Sequence, residues 1–316
     1  MDSFVVKLPE TITADGAQST FADLATTYAK SFLPNVKKVV FDFSACKSIS
    51  PVGLIYIRMW RDRLIENGKT TFYRKSNPET NSFLQRMRLL PNSATSDETA
   101  INEKFFYAIH CCMNMSECSA AHRDIISNVV AKDKVPEETY CAVDYMINEL
   151  WDNAGVHGYE CYNTEIYPNP VYICALELDA CYEVCIGDRG QGIYNSLQKN
   201  NEKIKGQNKK ASVKAAIQNG ISGHPNGSPG FGLYSSAEFI RGGNGALYIW
   251  SSGCYLAISS KSDRIYNSSF SNGTLVSFVI NKDAILPFEN TLNAHSRYQR
   301  STQEYIEDVI GGLFDE

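Results

Sequence analysis

The sequence predicts an α+β chain built as two successive units, a small α/β unit and then a larger two-layer α/β unit. Three observations carry this. Strand-like and helix-like patterns alternate over residues 1–92. From 113 to 282 the long helical patterns come first, and most of the strand patterns follow as near neighbours. Alternation favours a small α/β domain, whereas helices followed by strands favour one sheet with one helical face. Between the two, "PNSATSDETA" is rich in Ser, Thr and Asn and lacks apolar anchors, so 93–112 reads as linker and lead-in.

In the first unit, "FVVKLPETI" alternates weakly and reads as a strand. Residues 18–33 place Phe21, Leu24, Ala25, Tyr28, Ala29 and Phe32 on one helical stripe. "KKVVFDF" is a buried strand, and a helix follows from about 52 to 66, ending near Gly68. That helix is largely apolar at its start and gains charge later. "TTFYR" is a short strand. "NPETNSFLQRMRLL" is a helix with Pro78 in its first turn.

In the second unit, "EKFFYAIHCCMNM" fits either a strand or a helix start. "SECSAAHRDIISNVVAKD" is a helix with Ser116 as a plausible cap. "VPEETYCAVDYMINELWDNAGVHG" is the longest helix, with Pro136 in its first turn and Glu137 and Glu138 at its positive end. The strands "PVYICALEL", "CYEVCIG", "ALYIWSS", "YLAISS" and "GTLVSFVI" follow. Residues 195–229, rich in Asn, Lys, Gly and Ser, are long for a connection and read as a lid or binding loop. The tail, 283–316, holds a short amphipathic pattern at Tyr305, Ile306, Val309, Ile310 and Leu313, most simply docked on its own domain.

Composition narrows the function classes. The chain has 316 residues, 43% apolar and 21% charged, enough to bury a sizeable core. A formal charge of -5 gives no general attraction to nucleic acid or to an acidic membrane. No apolar run is long enough to span a bilayer, and no basic leader precedes an apolar stretch, so a cytoplasmic protein is expected. The ten cysteines lie mostly among apolar residues and read as buried thiols in a reducing compartment. Their spacing does not form a zinc set.

Three stretches carry chemistry. In "ELWDNAGVHG", Glu149, Asn153 and His157 recur every four residues, so α-helical spacing gives them one polar face, with Asp152 beside it. That face meets either solvent or a polar pocket. In "IGDRGQGI", Asp188 ends a buried strand among Gly187, Gly190 and Gly192. The glycines permit close backbone approach, and such an aspartate is able to accept a hydrogen bond from a base amino group. "GHPNGSPGFGLYSSAEFI" brings Gly223, Gly227, Gly230 and Gly232 to the start of a helix, a natural cradle for phosphate. It is neither a P-loop nor a dinucleotide fingerprint.

Taken together and in this order, the three stretches resemble the ATP site of the GHKL superfamily, which joins DNA gyrase, heat-shock chaperones, histidine kinases and MutL. Within it, "ELWDNAGVHG" looks most like the anti-sigma-factor serine kinases and related histidine-kinase-like ATPases. The resemblance covers about 113–282 and implies a two-layer α/β sandwich that binds ATP and Mg²⁺. It implies that Asn153 holds Mg²⁺ against the phosphates, that Glu149 is the catalytic base, and that His157 lies near the phosphate end. Asp188 would read the adenine amino group, with Gly190 and Gly192 beside the base. Gly230 and Gly232 would wrap the phosphates, and Asp152 would orient the pocket. Lys209, Lys210 and Lys214 in the lid, about 195–229, are candidates to meet the γ-phosphate.

The first unit resembles the STAS domain of anti-sigma-factor antagonists, through "VVFDFSACKSISPVGLIYIRMWRDRLIENGKTTFYR" and "FLQRMRL". In that family the residue before the helix-starting glycine accepts phosphate. Here Val52 precedes Gly53, and Ser50 stands three residues back before Pro51. A structural or regulatory role is therefore expected for 1–92. The whole chain reads as a Mg-ATP-binding regulator acting on a protein partner, with a homodimer compatible. It would be an ATPase or serine/threonine kinase, or else a non-catalytic ATP-sensing adaptor that switches partner contacts.

Overall fold

The computed structural model describes residues 3–90, 106–131, 133–159, 166–224, 230–270 and 273–293, apart from the His157 side chain. The amphipathic pattern at Tyr305–Leu313, most of the linker and Gly227 lie outside them.

The N-terminal elements are β1 (Ser3–Lys7), β2 (Thr11–Ile12), α1 (Ala17–Ser31), β3 (Lys38–Asp42), β4 (Ser48–Ile49), α2 (Pro51–Glu66), β5 (Thr70–Arg74) and α3 (Pro78–Arg86). Strands β1, β3 and β5 form a parallel sheet, and β2 pairs in parallel with β4. Pro51 opens α2, where no intrahelical N–H is needed, and Gly68 beyond its end takes φ +72. In α3 the Asn77 side chain accepts the Thr80 N–H and caps the first turn.

The second set is β6 (Phe106–Cys112), α4 (Met115–Asn128), α5 (Glu137–Asp152), a π-helical turn (Asn153–His157), β7 (Val171–Glu177) and β8 (Cys181–Asp188). Then come α6 (Gly192–Asn200), α7 (Lys209–Ala215), α8 (Gly232–Gly242), β9 (Gly245–Ser251), β10 (Cys254–Ser259), β11 (Asp263–Asn267), β12 (Thr274–Asn281) and α9 (Phe288–Asn293). Seven strands form one antiparallel sheet in the order β11-β10-β9-β12-β8-β7-β6.

Several boundaries differ from the sequence reading. The stretch that fitted strand or helix is strand β6, an edge of the large sheet, so 106–112 belong to that sheet and not to a lead-in. Helix α4 is capped by Asn114, whose side chain accepts the Glu117 N–H, and not by Ser116. Strand β11 had no clear pattern because it is an outer strand with mostly exposed or half-buried residues. The stretch read as a lid loop contains most of α6 and all of α7, which share a small core of Leu197, Ile204, Ala215 and Ala216. In the tail region, Phe288 and Leu292 of α9 pack into the main core.

The largest difference concerns the sheet. One face carries α4, α5 and α8 over a core that includes Ile173, Val184, Ile186, Met146 and Phe239. The other face is not open: the N-terminal unit packs on it through a shared core. Tyr172, Cys174, Cys185, Trp250 and Leu275 join Ile55, Met59, Trp60 and Phe21 there. This explains why α2 is apolar all round at its start. A helix packed on two sides buries residues around its whole circumference. It also explains why β7 and β8 are buried on both faces. Phe21 of α1 stacks on Tyr56 at 3.9 Å between centroids and lies 5.5 Å from Trp250. Gln18 accepts the Trp250 indole N–H at 3.0 Å and donates to the Asn267 carbonyl at 3.0 Å.

All nine described cysteines are free thiols. Burial pushes the Cys174 and Cys185 thiols well above their ordinary value, so they behave as small apolar side chains. No helix among the described residues is long and apolar enough to cross a membrane.

Candidate functional site

Strand alternation decides which β8 side chains can meet α5. Tyr182, Val184 and Ile186 enter the helix-side core, so Asp188, on the same face, ends the strand under the C-terminal end of α5. Glu149, Asp152 and Asn153 come from that end, and Gly230 to Leu233 come from the start of α8. With Gly192 from the start of α6, they line one cleft. Gly190 does not line it. A Cβ there would overlap the Gly158 carbonyl, so a backbone crossing by itself requires glycine at this position.

The helix end is not plain α. After Asp152 the backbone widens into the π turn, Asn153–His157. Gly155 lets the turn close on Tyr167, which is buried, since a Cβ would overlap the Tyr167 ring. The turn is tied to β8 by backbone contacts. The Gln191 N–H donates to the Gly158 carbonyl at 2.9 Å, and the Arg189 N–H donates to the Tyr159 hydroxyl at 2.9 Å.

Asp188 is 2% exposed and accepts the Gly190 N–H at 2.7 Å. Burial raises its carboxyl to about 7, against the pull of Gly190 and of the Thr274 N–H and hydroxyl. Thr274 faces Asp188 across the β12–β8 ladder and lines the cleft. The sequence reading missed it. The two residues are far apart in the chain, and only the strand register brings them together.

Glu149 is also raised to about 7, by burial first and by the Asp152 charge second, with Tyr145 opposing. Its carboxyl lies at the start of α8, where a Cβ on Gly232 would overlap Oε2. Helix α8 begins without a side-chain cap, so its positive end faces the cleft. Burial raises the Asp152 carboxyl, and His224 opposes this. Gly230 sits at φ +67, and Gly192 at φ +76, conformations that favour glycine. Beside Gly192, the Ser251 hydroxyl accepts the Ile193 N–H at 2.9 Å and the Ser252 hydroxyl accepts the Tyr194 N–H at 3.1 Å. Two hairpin serines thus cap α6, a device absent from its own sequence.

Lys209, Lys210 and Lys214 do not reach the cleft. They lie on α7, which packs on β10 and β11, and Lys209 sits 6.0 Å from the Tyr194 ring centroid. No Lys or Arg is among the described residues that line the cleft. It is an acidic cleft, with three carboxyls, one amide and one helix N-terminus. Among the described residues no three His, Cys, Asp or Glu side chains cluster as metal ligands. No known protein-family model matches this chain, and no curated protein does.

Proposed function

We propose that the chain is a Mg-ATP-binding regulator of the GHKL type, with residues 1–92 as a STAS-like unit docked on the back of its ATP-binding sheet. One observation carries the reading. Glu149, Asn153, Asp188, Gly230 and Gly232, named from three separated stretches of sequence, line the same cleft.

The donor set fits the ligand. Buried Asp188 presents a carboxyl able to accept the adenine amino group, and Thr274 beside it adds a hydroxyl. Asn153 supplies a hard oxygen for Mg²⁺, which keeps its other positions for phosphate and water. The uncapped start of α8 faces the phosphates. Because the described residues that line the cleft include three carboxyls and no cation, a bare triphosphate would be repelled. Mg²⁺, when bound, supplies the missing positive charge.

Glu149, with a value of about 7, is suited to accept a proton from water or from a serine or threonine hydroxyl of a protein partner. ATP hydrolysis or phosphate transfer follows from that role. Nucleic acid is not the expected partner, given the formal charge of -5. Asn153→Ala is expected to abolish Mg-dependent ATP binding by the full-length protein in calorimetry. Undiminished binding overturns the assignment.

A further inference from the structure

The face of β8 opposite the cleft carries polar contacts that nucleotide chemistry does not use. Asp188 turns into the cleft, and the next residue, Arg189, leaves on the other side. Its guanidinium donates to both carboxylate oxygens of Glu66 at 2.6 Å each and to Asn169 Oδ1 at 2.7 Å. It also lies 5.9 Å from the Tyr172 ring centroid. The Arg189 side chain is only 6% exposed.

Glu66 is the last residue of α2, where a carboxylate faces the negative end of the helix dipole. The position is unfavourable for α2 alone and becomes favourable against Arg189. At the other end of β8, Glu183 accepts the Val52 N–H at the start of α2 at 3.2 Å. Between these ends, Gly187 lies directly under Ile55 and Met59, where a Cβ would come within 3.1 Å of both. Helix α2 therefore runs along β8 from Glu183 to Arg189. The Asp188–Gln191 turn is held on one side by Tyr159 and Gly158 and on the other by Glu66.

The geometry points to Arg189 as a positioning residue and to α2 as an intramolecular effector that sets the affinity of the cleft. This rests on reading the cleft as a nucleotide site. With Glu66 in place, Arg189 holds the turn that presents Asp188. A signal that lifts the C-terminal end of α2 frees Arg189 and loosens the turn. By linkage, a nucleotide that needs the ordered turn tightens α2 by the same factor. The N-terminal unit then acts as the input to the cleft.

The test uses the full chain as wild type, Glu66→Ala and Glu66→Lys. Glu66 is half exposed, so neither change disturbs the core. Two readouts are taken: Mg-ATP affinity by calorimetry, and amide hydrogen exchange with and without Mg-ATP. Both variants are expected to bind about fivefold or more weakly and to exchange faster at Gly190 and Gln191. Mg-ATP is expected to slow exchange in the last turn of α2 in wild type and much less in the variants, a reciprocity that general loss of stability does not produce. Wild-type affinity in both variants, with unchanged exchange at Gly190 and Gln191, overturns the inference. If wild type ignores Mg-ATP, the nucleotide reading fails. Faster exchange at those amides in the variants still supports control of the turn by α2, so the two failures are separable.

Discussion

Glu183 offers the most quantitative test of how the two halves are joined. It is buried between α2 and the large sheet, where Val52 N–H donates to it at 3.2 Å and the Ser277 hydroxyl at 3.3 Å. The groups acting on its charge are that N–H, serine hydroxyls and the Asp15 carboxylate, and none is a cation. Burial therefore dominates and moves its carboxyl from an ordinary 4.5 to about 7. Between these values the native state holds a proton that the unfolded chain has released, so stability falls as pH rises. The contribution is fully present below about 4.5 and is lost through about 7. The difference corresponds to about 3 kcal/mol. Glu183→Gln keeps an oxygen to accept the Val52 N–H and cannot ionise. Any cost of burying its amide is independent of pH, so subtracting the two proteins isolates the ionisation. Urea unfolding of both between pH 4.5 and pH 8 should show the stability difference moving toward the variant by about 3 kcal/mol as pH rises. A difference that stays constant over that range refutes the buried, unpaired carboxyl at this interface.

Four further outcomes follow from the site. Gly232→Ala forces a Cβ against Glu149 Oε2, so it should cost about 1–3 kcal/mol of stability and displace the α5–α8 contact, seen as a lower melting temperature and weaker Mg-ATP binding. Turnover should rise with pH through about 7 as Glu149 loses its proton. Glu149→Gln should keep binding and lose phosphate release, and a Glu149→Gln protein with wild-type turnover refutes the base assignment. Asp188→Asn retains an acceptor for the Gly190 N–H but replaces half the carboxylate with a donor facing the adenine amine. It should weaken Mg-ATP at least about tenfold, about 1.4 kcal/mol, while leaving binding of the Mg²⁺ complex of inorganic triphosphate unchanged.

Much of the candidate site was legible in the linear sequence because its members carry local signals. Glu149 and Asn153 are one α-helical turn apart, Asp188 stands at a strand end among glycines, and Gly230 and Gly232 lead into a helix. Pattern alone also gave α1, α2, β3, β5 and the strands β7 to β10, since apolar periodicity follows from which face is buried. The crossing of Gly190 with the Gly158 backbone was not legible, because a glycine looks the same in sequence whether it meets a ligand or another backbone. That Lys209, Lys210 and Lys214 stand on a helix outside the cleft lining was not legible, because no local spacing encodes where α7 packs.

What the sequence determined by itself was most of the short-range elements, their types and the residues able to carry charge or accept a proton. Tertiary structure alone decided which of them meet. Thr274 reaches Asp188 through the β12–β8 register, the hairpin serines cap α6, and α2 covers the back of β8 from Glu183 to Arg189. The physical reason is that local propensity depends on neighbours in the chain, whereas strand register and the covering of a second sheet face depend on long-range burial. The apolar start of α2 was visible in the sequence, but only the folded chain shows that it packs against the reverse side of the cleft's own sheet.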